Sequence, residues 1–161
     1  MNKILKLSSN NLTVESIEKI YKMRFETYND KFISSDIPSI DEHIIFIYRQ
    51  LSNKNCTWFG LYDFIDLFSF PSLIGISCLY NHDKENSSIE FGRLMIEPSS
   101  ISNGFATELI KHCINYAKKE LLCKEVFLYV RKNNRKAIDI YERQGFTLVK
   151  SDINLLYKIN I

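Results

Sequence analysis

Apolar residues recur along the chain in two periods, and the switches between them mark out its elements. Lys3 to Leu7 has β-type content and Ser8-Ser-Asn-Asn11 is turn-like. Thr13 then caps a helix with Ile17, Ile20, Tyr21 and Tyr28 on one stripe. A polar link containing Phe32 and Ile33 leads to Ser39-Ile-Asp-Glu42, a capping box, and to a second helix with Ile40, Ile44, Ile47, Tyr48 and Leu51 on its apolar stripe. Aromatic and branched residues predict strands over 57–62 and 73–80. The Asp63–Pro71 connection between them is apolar for a hairpin, so the Phe64 to Phe70 segment either extends the strands, tucks under the sheet or offers a contact surface. Asn81 to Asn86 reads as a polar turn and Ser88 to Ile96 as a strand.

Beyond Ile96 the period changes again. From Ala106, the residues Leu109, Ile110, Cys113, Ile114, Ala117 and Leu121 recur at three and four, which predicts an amphipathic helix packed on a sheet. A β run over 124–130 follows, then a helix capped by Asn134 and closed by Gly145, and two last strands over 146–149 and 155–159. No repeat, low-complexity tract or linker interrupts this order, so residues 1–161 are expected to form a single domain.

Composition narrows the class. The hydrophobic share of 45% with 25% charged residues suits a globular chain with a real core, and 13% aromatic residues argue against disorder. A net charge of +2 falls short of a dedicated nucleic-acid binder, so no nucleic-acid partner is expected. No apolar run approaches the roughly 20 residues of a membrane span, so no membrane partner is expected either. Cys56, Cys78, Cys113 and Cys123 form no C-x-x-C pair and the first residues have no signal-peptide core. A reduced, cytoplasmic setting is therefore expected. His43 and His82 have no partners in sequence and read as core or surface residues, and no ligand-spaced cluster calls for a metal.

The chemistry gathers between Glu90 and Phe146. A strand ending at Glu97-Pro98 empties into Ile101-Ser-Asn-Gly-Phe-Ala106 at a helix start. A glycine turn there brings backbone close to a ligand and aims unpaired N–H groups at one point, which holds phosphate oxygens without a metal. Lys118, Lys119, Lys124, Arg131, Lys132, Arg135 and Lys136 lie in the same third of the chain and would steer a polyphosphate towards it.

Gly104-Phe-Ala106 after that strand, with Asn134-x-x-Ala137-x-x-x-Tyr141-x-x-x-Gly145-Phe146, resembles the GCN5-related N-acetyltransferase (GNAT) family, and the element order matches over nearly the whole chain. Ile101 departs from the family pattern, which has Gln or Arg there, so the cradle would rest on backbone N–H groups. The resemblance implies an α/β (α+β) fold with a mixed, mostly antiparallel sheet of about seven strands, splayed between strands 4 and 5, and about four helices. It implies acetyl-CoA as donor, with backbone groups of Leu94, Met95 and Ile96 along the pantetheine. Asn103, Gly104, Phe105, Ala106 and Thr107 would hold the pyrophosphate, with Asn134 and Ala137 also on the cofactor. Tyr141 would give a proton to the departing thiolate, and Glu90, or less favourably Glu97, would take one from the amine through water. In this resemblance the backbone N–H near Ile96 would polarise the thioester carbonyl.

Acceptor choice in this family sits in the first two helices and their link. Here Met23-Arg24-Phe25, Asn29-Asp30, Asp36-Ile-Pro38 and Ser39-x-x-Glu42-His43 resemble acetyltransferases of nucleotide-linked amino sugars and also those of ribosomal-protein type. Arg24 would meet a phosphate or carboxylate, and Asp30 or Asp36 a cationic amine. The expectation is transfer to a primary amine of a small molecule in a ternary complex. A protein N-terminal or lysine acetyltransferase and a non-catalytic acyl-CoA-binding regulator are the alternatives, and a homodimer is plausible.

Overall fold

The computed structural model describes residues 2–27, 37–64 and 71–161. In order they form β1 (Asn2–Lys6), α1 (Val14–Tyr21), a π-helical turn (Lys22–Thr27), α2 (Ile40–Ser52), β2 (Thr57–Asp63), β3 (Ser72–Asp83) and β4 (Ser88–Ile96). A 3₁₀ turn (Pro98–Ser100), α3 (Phe105–Lys119), β5 (Glu125–Arg131), α4 (Arg135–Arg143), β6 (Thr147–Ser151) and β7 (Asn154–Asn160) complete the chain. The seven strands make one sheet in the order β1-β2-β3-β4-β5-β7-β6, and only β4 and β5 pair in parallel. No helix among the described residues is long and apolar enough to cross a membrane.

Local chemistry sets the helix starts. The Thr13 side chain accepts from the Ser16 N–H at 3.1 Å, and Ser39 and Glu42 close a reciprocal capping box on α2. On α3 the three-and-four period buries Leu109, Ile110, Cys113 and Ala117 completely, each large side chain contributing about 1.5–3 kcal/mol against exposure.

The helices divide between the two faces of the sheet and make two cores. On one face α3 and α4 cover Phe59, Leu61, Leu79, Ile89, Phe91 and Val126. On the other, α1 and α2 cover Trp58, Tyr62, Leu73, Ile76 and Cys78. Phe64 packs against this second core; Ile65 to Phe70, like Tyr28, Asp30, Phe32, Ile33 and Asp36, lie outside the described residues.

Two expectations are corrected. Residues 81–83 extend β3 instead of opening a turn, because Tyr80 pairs with Glu90 and Asp83 with Ser88. The first helix does not stay α-helical, but widens at Lys22 into the π turn that carries Arg24.

Candidate active site

The parallel pairing of β4 with β5 covers only Ser88, Ile89 and Glu90 against Glu125, Val126 and Phe127. Beyond Glu90 the two strands part, while β4 goes on pairing with β3 to Ile96. A bulge lies in that departing half. Between the Cys78–Gly92 and Ile76–Met95 pairs, β4 spends one residue more than β3, and Arg93 takes φ +53°. An L residue held there costs about 1–2 kcal/mol. The bulge reverses the alternation of side chains, so Leu94 packs with the core of α3 and α4 while Met95 packs with that of α1 and α2. The Glu97 N–H donates to the Ile74 carbonyl at 2.8 Å, so by alternation Leu94 and Ile96 turn their backbone groups towards the gap and Met95 towards β3.

At the open end of the gap stands the start of α3. Gly104, its N-cap, has φ +83° and no side-chain cap, and Ser102 before it has φ +75°. The first bond of the helix is the Glu108 N–H donating to the Gly104 carbonyl. The amides of Phe105, Ala106 and Thr107 therefore have no acceptor among the described residues, and a Cβ on Gly104 would meet nothing within 4 Å. Ile101 is solvent-exposed beside this ring of donors.

Tyr141 and Glu90 lie on opposite faces of β4. Tyr141 sits in the core of α3 and α4, its ring 6.1 Å from that of Phe91 and 5.9 Å from that of Phe146, and burial raises its pKa so that the phenol keeps its proton. Asn134 caps α4 by accepting the Ala137 N–H at 3.3 Å. Glu90 is 9% exposed, and its two oxygens accept from the Tyr80 hydroxyl at 2.9 Å and the Asn81 amide at 2.7 Å. Asn81 reaches it from a left-handed backbone at φ +52°. Gly92 makes room for Tyr80, since a Cβ there would fall 2.6 Å from the phenol oxygen. Burial and then the Glu90 charge raise the Tyr80 pKa. The rival Glu97 pairs with Lys19 at 3.6 Å, at the far end of the strand.

A second constellation lies on the Glu90 side. The Arg93 guanidinium stands over the rings of Phe46, Trp58 and Tyr80 at 5.0, 5.1 and 5.6 Å, and that of Arg24 over Phe25 at 5.3 Å. Burial, then Arg93, lowers the Arg24 pKa. His43, packed among Tyr21, Phe25 and Phe46, is held neutral with its pKa down at about 4, by burial and then by the two arginines. The sequence reading included Arg24 but missed Arg93, Tyr80 and Asn81. A Gly-Arg pair inside an apolar strand was the available signal, since it marks a bulge.

The four cysteines are free and buried, and burial pushes the Cys113 thiol up to about 12. None offers an accessible nucleophile.

The Acetyltransferase (GNAT) family model matches residues 16–146. The chain belongs to this family. Among GNAT relatives, the spermine/spermidine N(1)-acetyltransferase of Bacillus subtilis (strain 168) is 29% identical over 96 residues, which cover 58% of this chain and 62% of that enzyme's length. Acetyltransferase PseH of Campylobacter jejuni (strain 81-176) is 27% identical over 141 residues, covering 88% of this chain and 83% of PseH. The GNAT fold is shared with the crystal structure of spermidine N-acetyltransferase from Vibrio cholerae in complex with CoA and spermine. That similarity has a TM-score of 0.76 at 19% identity and covers 99% of this chain and 94% of the other.

Proposed function

We propose that the chain transfers an acetyl group from acetyl-CoA to a primary amine of a small molecule by direct attack in a ternary complex. The observation that carries this reading is the parting of β4 and β5 after Glu90, with a protonated phenol on one face and a hydrogen-bonded carboxylate on the other. Donor and acceptor can then approach from opposite sides and meet in the gap.

The acceptor-free amides of Phe105 to Thr107 fit a pyrophosphate, because they present several N–H donors at a helix N-terminus with open space at Gly104. Asn103, Gly104, Phe105, Ala106 and Thr107 would hold that group, with Leu94 turning backbone towards the pantetheine arm and Asn134 and Ala137 at the start of α4 beside it. Bound acetyl-CoA supplies a thioester acetyl group. Tyr141 keeps its proton through burial and would give it to the leaving thiolate. Glu90, held by Tyr80 and Asn81, would draw the amine proton through water.

For the acceptor we favour a nucleotide-linked amino sugar, on the resemblance of the Met23-Arg24-Phe25 and Glu42-His43 segments. A polyamine is the second reading, favoured by the similarity to the Bacillus enzyme. A thiol-release screen with acetyl-CoA against amino-sugar nucleotides, polyamines, amino acids and peptides tests this. The amino-sugar nucleotide should give the highest kcat/KM. Release with peptides alone would replace the reading by a protein acetyltransferase, and acetyl-CoA binding with no release from any amine would replace it by an acyl-CoA-binding regulator.

A further inference from the structure

Polar atoms without partners gather at one place in the second core. Among the described residues, Arg24 Nε, Arg93 Nη1 and His43 Nε2 are buried with no hydrogen-bond partner. Neither arginine is there by default. Arg24 is carried by the π turn that interrupts the helix after Tyr21, half-buried between the buried Met23 and Phe25. Arg93 is turned into the same core by a bulge that forces a non-glycine residue to φ +53°.

Two guanidiniums within electrostatic reach of each other, with unused donors, are costly unless an anion completes them. The neighbouring described groups do not do so. Glu90 has both oxygens engaged by Tyr80 and Asn81. His43 is neutral, and the buried Cys56 thiol is engaged with Cys78 at 3.2 Å. Aromatic faces on Phe25, Phe46, Trp58 and Tyr80 hold the cations in place but accept no N–H in the plane of the guanidinium.

We propose that Arg24 and Arg93 form an anion-recognising subsite on the acceptor side of β4, so that the amine acceptor carries a phosphate or carboxylate and a purely cationic polyamine is rejected. The planar fork of each guanidinium suits either anion, and a polyamine approaching the pair meets like charge. Arg93 links the subsite to the chemistry, because it lies on the Tyr80 ring whose hydroxyl holds Glu90. This rests on the acetyltransferase reading for the word acceptor, but not for the binding of an anion.

The test uses the full chain saturated with CoA, which fills the α3 cradle. Inorganic phosphate, uridine diphosphate and malonate are titrated by calorimetry and thermal shift into wild type, R24Q and R93Q. At least one anion should bind wild type and raise its Tm, with affinity lower by tenfold or more in both variants, and the phosphate and malonate arms tell which anion is read. Because each variant removes a buried, unpaired charge, its Tm without anion should equal or exceed that of wild type. If a Gln variant does not fold, R24K and R93K keep the charge, lose the fork, and should still weaken the anion tenfold. Equal binding by wild type and variants means an adventitious ion only and overturns the proposal. So does absence of anion binding, or a Tm that falls in both Gln variants because a carboxylate of the chain itself completes the pair.

Thiol release with glucosamine 6-phosphate, glucosamine and spermidine separates the two ideas. The R93Q change should raise KM for the phosphorylated amine at least tenfold more than it raises KM for glucosamine. If spermidine has a higher kcat/KM than every anion-bearing amine, the subsite proposal falls while the acetyltransferase reading stands. If no amine releases thiol yet arginine-dependent anion binding persists, the outcome is the reverse.

Discussion

Gly92→Ala probes the support of Glu90 without touching the carboxylate. The new Cβ would lie 2.6 Å from the Tyr80 phenol oxygen and 3.1 Å from its Cε1, so the ring must retreat by about 0.8 Å to reach ordinary contact at 3.4 Å. A shift of that size is enough to carry the 2.9 Å Tyr80–Glu90 bond beyond hydrogen-bonding range. A bond to a charged acceptor contributes about 1.5–3 kcal/mol, against which alanine regains about 0.5–1 kcal/mol of backbone entropy in a strand. The net expectation is a loss of about 1–2 kcal/mol, read as a lower urea midpoint at unchanged m. In a Tyr80→Phe background that bond is already absent, so Gly92→Ala should cost under about 1 kcal/mol, giving a coupling of about 1 kcal/mol. Equal losses in both backgrounds, or a variant as stable as wild type, would refute the reasoning.

Tyr141→Phe keeps the ring between Phe91 and Phe146, so stability should hold within about 0.5 kcal/mol while kcat falls roughly 10²–10⁴-fold; an unchanged kcat in the thiol-release assay removes the proton-donor role. Asn134→Asp preserves the oxygen that accepts from the Ala137 N–H, so α4 should keep its stability. CoA affinity should drop roughly fivefold if the amide nitrogen contacts the cofactor, and an unchanged Kd reduces Asn134 to a helix cap. His43 titrates near 6.5 when unfolded and near 4 when folded, so the unfolded chain takes up the proton first and stability is lost as pH falls between those values. The loss should be roughly 2 kcal/mol and should vanish in His43→Phe; an acid limb unchanged by that substitution would contradict it.

The β4 strand was legible to the residue, Ser88 to Ile96, because an alternating run bounded by a polar turn and a proline has no competing reading. The Ser39–Glu42 capping box and the left-handed Gly145 after α4 were equally plain, since each is a local rule with one usual geometry. The extra reach of β3 was not, because Asn81 to Asp83 have turn chemistry and are kept extended by pairing with β4. The π turn and the Arg93 bulge escaped for a related reason. Both break the periods from which elements are read, and both deliver an arginine to one buried place. Glu90 was named from its position, but its two donors, Tyr80 and Asn81, both come from the neighbouring strand β3, a tertiary fact without a local signature. The donor side of the site thus followed from short motifs, whereas the acceptor side depends on α1, α2 and the β4 bulge coming together.

Direct transfer between donor and amine is tested most plainly by a rapid-quench single turnover with enzyme in excess over acetyl-CoA. Free thiol and the N-acetylated amine should appear together at one rate, only when the amine is present, with the intact mass of the chain unchanged throughout. Thiol release before or without the amine, accompanied by an acetylated cysteine on the chain, would contradict transfer across the gap between β4 and β5.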